Sequence, residues 1–179
     1  LGAELTSYAA AGVDIDERQH LDETADIMVV RLAVEKACAV APEPGTVVLG
    51  ADTAVVLDGE VFGKPADRAD ALRMLAMLSG RRHQVMTGVA VLAASMAESV
   101  LSVTEVTFRK IAPDEALDYW QSGEPRGKAG AYAIQGLGGT FVESIAGSYT
   151  GVVGLPVFET AELLRSAGIE LPAELKDAL

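Results

Sequence analysis

Apolar and polar positions recur along this chain with two periods, and the switches between them mark out its elements. From Thr24 to Ala41 the period is helical, and Ile27, Val30, Val34, Ala37 and Val40 can lie along one broad face. Thr24 suits the cap of that helix, with Asp26 in its first turn. Thr46 to Ala51 is an apolar run that reads as a buried strand. Ala54 to Leu57 and Val61-Phe62 flank Asp58-Gly59, which predicts a hairpin. Pro65 to Leu78 reads as a helix with Gly80 just past its end. His83 to Ala94 and Val100 to Arg109 read as two long strands. In the second, Val100, Ser102, Thr104, Val106 and Phe108 share one face. Pro113 to Gln121 is a short helix, and the glycine-rich stretch from Gly123 to Gly139 is a long loop or broken strand. Thr140 to Ile145 is a strand, and Pro156 to Ser166 is the last helix. Hairpins and crossovers together predict an α/β fold with a mixed sheet and flanking helices. No internal repeat and no low-complexity linker interrupts the pattern.

The strand from Thr46 ends abruptly in a small residue, a carboxylate and a hydroxyl: Ala51, Asp52 and Thr53. Ligands of open α/β sheets collect at the carboxyl ends of strands. A carboxylate there can act as a base or hold a metal, although an Asp can also merely start a turn.

Composition narrows the possibilities. The 179 residues suit one domain, or two lobes sharing a core, and half of them are hydrophobic. No apolar run reaches the ~20 residues that span a membrane. The net charge of −12 argues against a nucleic-acid or anionic-membrane partner, because both need a basic face. Cys38 is the only cysteine, so an intrachain disulfide is excluded, which fits a reducing cytosol. Its place in the helical pattern predicts core packing. Gly-x-x-x-x-Gly-Lys-Ser/Thr, paired Cys-x-x-Cys and His-Glu-x-x-His are all absent, which removes the main support for P-loop, zinc-ribbon and zincin readings.

Several segments carry polar residues that a plain core does not need. They are Asp14 to Glu17, Arg31 to Ala37, Gly50 to Thr53, Phe62 to Pro65, Gly127 to Gly136 and Gly151 to Pro156. Each has a plain explanation. Arg31 and Glu35 can pair on a solvated helix face, turn lysines are usually solvated, and glycines supply positive φ. Together they suggest chemistry. Lys36, Lys64 and Lys128 can offset the charge of a polyphosphate. Glu17, Asp52 and, as a third candidate, Glu35 offer oxygen ligands for Mg²⁺ or Mn²⁺. Gln135 has an amide that can both donate to and accept from a base edge. These residues describe a phosphate- and metal-binding α/β enzyme.

The ordered series of motifs resembles the Maf family of nucleotide pyrophosphatases. The matching pieces are Asp14-Ile15-Asp16-Glu17, Arg31-Leu32-Ala33-x-Glu35-Lys36-Ala37, Gly50-Ala51-Asp52-Thr53, Gly63-Lys64-Pro65 and His83-Gln84-Val85-Met86-Thr87-Gly88-Val89. Ser122-Gly123-Glu124-Pro125, Lys128-Ala129-Gly130-Ala131-Tyr132, Ile134-Gln135-Gly136 and Val152-Val153-Gly154-Leu155-Pro156 continue it. The resemblance implies a single domain over residues 1–179, with two lobes around a cleft and an architecture related to inosine-triphosphate pyrophosphatase. It implies hydrolysis of a nucleoside triphosphate between its α and β phosphates. Asp52 maps to the proton acceptor, Thr53 and Gln135 to base choice, and Glu17, Lys36 and Lys64 to the cleft lining. Gly-Ala-Asp-Thr with Tyr-x-Ile-Gln-Gly resembles the branch acting on dTTP and UTP, not the branch acting on 7-methyl-GTP. A divalent metal cofactor and a cytoplasmic homodimer are expected with it. The resemblance also implies a first strand and a Ser-x-Ser-Pro-Arg-Arg loop followed by a helix, whose end is expected at Leu1-Gly2, so that strand and loop are expected to be missing from this sequence. The nearest alternative is the same chemistry on CTP or modified pyrimidine nucleotides, and the rival of a different class is a non-catalytic, nucleotide-binding regulator of septation or cell division.

Overall fold

The computed structural model describes residues 3–4, 12–40, 45–93 and 96–170. The chain runs through β1 (Ala3–Glu4), α1 (Ala25–Cys38), β2 (Val48–Leu57), β3 (Glu60–Phe62), α2 (Arg68–Leu78), β4 (Arg82–Ala93) and β5 (Met96–Phe108). It continues through α3 (Pro113–Gln121), 3₁₀ turns at Ala129–Ala131 and Leu137–Phe141, β6 (Val142–Ala146), α4 (Tyr149–Val153), α5 (Val157–Ser166) and β7 (Ile169–Glu170). The glycine-rich stretch read as a loop or broken strand thus contains one short 3₁₀ turn and begins a second, which takes Thr140 and Phe141 from the expected strand so that β6 starts at Val142. The residues before Ala3, where the family's first helix was expected to end, lie outside the described residues.

Five strands form one sheet in the order β3-β2-β4-β5-β6, and every pairing in it is antiparallel. Among the described residues, parallel pairing is confined to β1 and β7, in a separate two-stranded sheet. The α/β class is as expected, while the mixing of strand directions falls between two sheets rather than within one. Long hairpins explain this. β2 and β3 form one hairpin, β4 pairs antiparallel with its successor β5 over nearly its whole length, and α2, between β3 and β4, brings β4 back alongside β2 in the antiparallel sense. Asp58 and Gly59, with φ of 52° and 84°, form the two-residue turn between β2 and β3, a backbone hand that glycine and Asp tolerate best.

The helices divide between the two faces of the sheet. α1 lies against the face carrying Gly50, Asp52 and Ala54 of β2 and Gly88 and Ala90 of β4. Two glycines make its close approach possible. A Cβ on Gly50 would stand 2.2 Å from the Ala33 carbonyl oxygen, and one on Gly88 would stand 2.4 Å from that of Val29. The buried stripe of α1 is Met28, Val29, Leu32, Ala33 and Ala37; of the predicted face Ala37 is buried and Val30 and Val34 pack at its margin, while Ile27 is exposed. Burying side chains such as Leu32 and Val29 stabilises the fold by about 1.5–3 kcal/mol each. Cys38 ends the helix in solvent, so the expectation of core packing is corrected. Thr24 takes the cap position, but its side chain makes no capping hydrogen bond.

The opposite face of the sheet carries the larger core. Val55, Leu57 and Val85 pack there with Leu75 and Leu78 of α2, Tyr119 of α3 and Phe141. α2 begins at Arg68 rather than Pro65, because the Asp67 side chain accepts from the Asp70 N–H at 2.9 Å and caps the helix there. Phe108 stands edge-on to Tyr132, with ring centroids 4.7 Å apart, and to His83 at 4.8 Å.

Candidate active site

β2 is one unbroken strand from Val48 to Leu57, so Asp52 lies mid-strand and not at the strand end expected from the sequence. What changes near Asp52 is the neighbour. β4 pairs with β2 from Val48 to Val56, whereas β3 covers only Val55 to Leu57. Among the described residues, the outer edge of β2 is therefore open from Val48 to Ala54. A cleft of about 560 Å³ is lined there by Ala51, Asp52, Thr53, Ala54 and Val55 in succession. Successive strand residues point to opposite faces, so the cleft takes in both faces of the sheet around its open edge.

On the α1 face the cleft is charged. Met28, Leu32 and Lys36 follow at four-residue spacing along α1 and all line it. Lys36 Nζ donates to Asp52 Oδ1 at 2.5 Å and lies 2.7 Å from Glu17 Oε1. Lys64 Nζ donates to the other Glu17 oxygen at 2.8 Å. Lys64, Glu17, Lys36 and Asp52 thus alternate in sign, in that order, along one chain of ion pairs. Lys128 lines the same cleft. The Gly130 N–H donates to the Gly63 carbonyl at 3.1 Å, which ties the segment after Lys128 to the turn bearing Lys64.

This geometry sets the proton affinities. Burial pushes the Asp52 carboxyl above the ordinary Asp range, and the Lys36 ammonium only partly opposes it. Glu17 is held low by hydrogen bonds from Lys36 and Lys64. Burial works against the Lys36 ammonium, but two carboxylates hold it charged and raise it overall. Asp52 is accordingly a stronger base than an exposed Asp, and Glu17 is the fixed negative charge beside it.

On the other face of β2 the cleft is neutral. Thr53 lines it with Gln135, Tyr132, Ala133, Val153 and Gly154. Thr53 Oγ1 lies 2.9 Å from Thr87 Oγ1, its directly paired neighbour on β4. Gln135 is solvent-exposed on the stretch between the two 3₁₀ turns. Glu124 braces that stretch. Its Oε1 accepts from the Tyr119 hydroxyl at 2.7 Å and the Gly138 N–H at 2.9 Å, and its Oε2 accepts from the Leu137 N–H at 2.9 Å. The Tyr119 hydroxyl in turn accepts from the Ala133 N–H at 3.1 Å.

Seven of the eight residues singled out from the sequence line this one cleft: Glu17, Lys36, Asp52, Thr53, Lys64, Lys128 and Gln135. Glu35 does not. It points back one helical turn to Arg31, whose Nη1 lies 3.1 Å from Glu35 Oε2, and Arg31 also grips Glu23. Adjacent helix positions diverge by about 100°, so Lys36 enters the cleft as Glu35 turns away from it. Sequence reasoning passed over Thr87 and Glu124 as functional residues. A lone hydroxyl inside the apolar run of β4 was the available signal for the first.

The donor set also bears on a metal. Among the described residues no three His, Cys, Asp or Glu side chains gather around one point. Glu17 and Asp52 do share one, and the Lys36 ammonium stands there. Two carboxylates converging on a cationic point fit a hard divalent ion that completes its shell with water and phosphate oxygens.

An α/β sheet whose open edge carries a charged pocket on one face and a hydrogen-bonding pocket on the other defines a protein with a nucleotide-sized, two-part cleft. The chain belongs to the Maf family: residues 2–167 match the family described as Maf-like protein. It is 54% identical over 163 residues to the dTTP/UTP pyrophosphatase of Bordetella parapertussis, covering 88% of this chain and 79% of the relative. It is 52% identical over 154 residues to the dTTP/UTP pyrophosphatase of Vibrio parahaemolyticus, covering 85% and 82%.

Proposed function

We propose that this protein hydrolyses dTTP and UTP to the nucleoside monophosphate and pyrophosphate, with Asp52 as the general base. The observation that carries the reading is the division of one cleft by β2. The Asp52 face offers a base and ammonium groups, and the Thr53 face offers neutral hydrogen-bonding groups with Gln135. A triphosphate laid across the strand edge meets Lys36, Lys64 and Lys128 with its phosphates and Thr53 and Gln135 with its base.

The chemistry follows from the ion pairs. Phosphate oxygens compete with Glu17 and Asp52 for the two ammonium groups. As Lys36 turns to phosphate, Asp52 is left buried, charged and free to accept a proton. A water held by Asp52 loses that proton as its oxygen bonds to phosphorus. The bridging α–β oxygen departs with the leaving group, and Lys36 and Lys64 stabilise the charge that develops on the phosphate oxygens. Glu17 and Asp52 would hold a divalent cation, Mg²⁺ or Mn²⁺, which when bound acidifies water and offsets phosphate charge. The cytoplasmic, homodimeric state expected above rests on the family alone.

The test is pyrophosphate release from a nucleotide panel by the wild type and Asp52→Asn. The substitution keeps the shape and removes the base. Hydrolysis of UTP and dTTP should fall by about 10²–10⁴-fold while circular dichroism stays unchanged. Near-normal turnover by a folded variant would show that Asp52 is not the base.

A further inference from the structure

We infer that Thr87, buried beneath the cleft, sets which nucleobase the site accepts by fixing the direction of the Thr53 hydroxyl. The inference rests on the pyrimidine-nucleotide reading above and deepens it.

The hydrogen-bond direction follows from one carbonyl. Thr87 Oγ1 lies 2.8 Å from the Gly151 carbonyl oxygen, which can only accept, so the single Thr87 hydroxyl proton is committed to it. The same carbonyl accepts from the Gly154 N–H at 3.0 Å, so both its lone pairs are engaged. Thr87 is 1% exposed and has no alternative partner in solvent. Thr53 Oγ1, 2.9 Å from Thr87 Oγ1, must then be the donor of that bond. Its only proton points down into the sheet. Toward the cleft Thr53 presents lone pairs alone. Gly154 keeps them open: even a Cβ there would reach only to 3.8 Å from Thr53 Oγ1, and a longer side chain would cover it.

A group that only accepts is selective where its neighbours are not. The Gln135 amide can flip and meet either a donor or an acceptor, and an unrestrained hydroxyl can rotate to the same effect. The pairing edge of uracil and thymine presents an N–H at position 3 between two carbonyls. Cytosine presents a bare nitrogen at that position. An acceptor-only Thr53 bonds the imide N–H and sets lone pair against lone pair with cytosine. Discrimination between UTP and CTP thus falls on the locked hydroxyl, with Gln135 free to serve a neighbouring carbonyl. Thr87 acts through Thr53 and is a positioning residue.

The experiment measures kcat/KM for UTP and CTP in the wild type, Thr87→Val and Thr87→Ser, with melting temperature as the fold control. Thr87→Val keeps the volume and removes the relay, so Thr53 can rotate. The UTP:CTP ratio should fall by about ten- to a hundredfold, chiefly through a lower KM for CTP and a higher one for UTP. Thr87→Ser retains the hydroxyl and should keep the wild-type ratio. A wild-type ratio in Thr87→Val, or a lost ratio in folded Thr87→Ser, overturns the relay. Should Thr87→Val not fold, Thr87→Ala makes the same removal and is read the same way. A wild type that hydrolyses neither UTP nor dTTP overturns the underlying reading instead, and the relay with it.

Discussion

Gly88 faces Asp52 directly across the β2–β4 pair, on the face that receives α1. Replacing it with Ala is a small change with a calculable consequence. The new Cβ would meet the Val29 carbonyl oxygen at 2.4 Å, the Val29 carbonyl carbon at 2.6 Å and the Val30 nitrogen at 2.7 Å. These are backbone atoms inside a helix, so no side chain can rotate away. Ordinary contact begins about 1 Å farther out, and α1 must withdraw by roughly that distance. Lys36 sits on α1 two turns beyond Val29 and holds Asp52 at 2.5 Å. Overpacking of this kind costs about 1–3 kcal/mol, and a domain of this size should lose roughly 3–10 °C in Tm. A displacement of about 1 Å at a catalytic pair can cost about 10²-fold in rate, so kcat for UTP should fall by tens to a hundredfold in protein that is still folded at 25 °C. Thermal melting and steady-state pyrophosphate release read the two effects. A Gly88→Ala protein with wild-type Tm and wild-type kcat would refute both the tight seating of α1 and its role in holding Lys36 to Asp52.

The remaining predictions address the loop, the metal and pH. Glu124→Gln removes the charge that gathers Tyr119, Leu137 and Gly138, so it should destabilise the protein by about 1–3 kcal/mol and raise KM for UTP more than it lowers kcat; a purely thermal effect, with unchanged KM, would count against the bracing of Gln135. Exhaustive chelation should stop hydrolysis and added Mg²⁺ or Mn²⁺ should restore it, whereas full activity in chelator would show that the lysines suffice. Burial holds His83 at a pKa of about 4, below the ordinary 6.5, so the unfolded chain takes up the proton first as pH falls. Its contribution is complete above about pH 6.5 and is lost as pH falls toward 4; urea unfolding should show a loss of about 2 kcal/mol between pH 7 and pH 5 that His83→Gln lacks, and an identical pH slope in the two proteins would reject the assignment.

Much of this architecture was legible because burial writes a period into the sequence. β5 alternates cleanly, and α3 follows a Pro at its first turn, so Pro113–Gln121 was read to the residue. The helical stripe of α1 was misread for a physical reason. Part of its sheet-facing side is small, with Ala33 and Ala37 against Gly50 and the Val29 backbone against Gly88, and hydrophobic bulk at Ile27 marks the solvent side instead. The break placed at Asp52 was also misplaced. A carboxylate and a hydroxyl inside a strand look like a terminus when one cannot see that the neighbouring strand stops short. The site lysines could be listed from their motifs, but not the pairing of Lys36 with two carboxylates, which depends on the distance of closest approach between α1 and the sheet. Glu35 shows the same limit from the other side. In the sequence it sits beside Lys36, and in space Arg31 turns it away.

Strand geometry explains why adjacent residues, Asp52 and Thr53, can serve unrelated purposes. In a strand, neighbours point to opposite faces, and in a closed sheet they would never share a ligand. The short β3 leaves the edge of β2 open beside them, so one extended molecule can pass around that edge and touch both. The charged half of the cleft is then fixed by α1, through Lys36, and the neutral half by α4, through the Gly151 carbonyl. The two halves rest on different helices and separate cores, so substitutions at Gly88 and at Thr87 should act on different quantities. The first should lower turnover for every nucleotide alike, and the second should redistribute turnover among them. Equal losses of UTP and CTP hydrolysis from Thr87→Val, matching those from Gly88→Ala, would mean that the faces are not independent and that β2 does not divide the chemistry from the recognition.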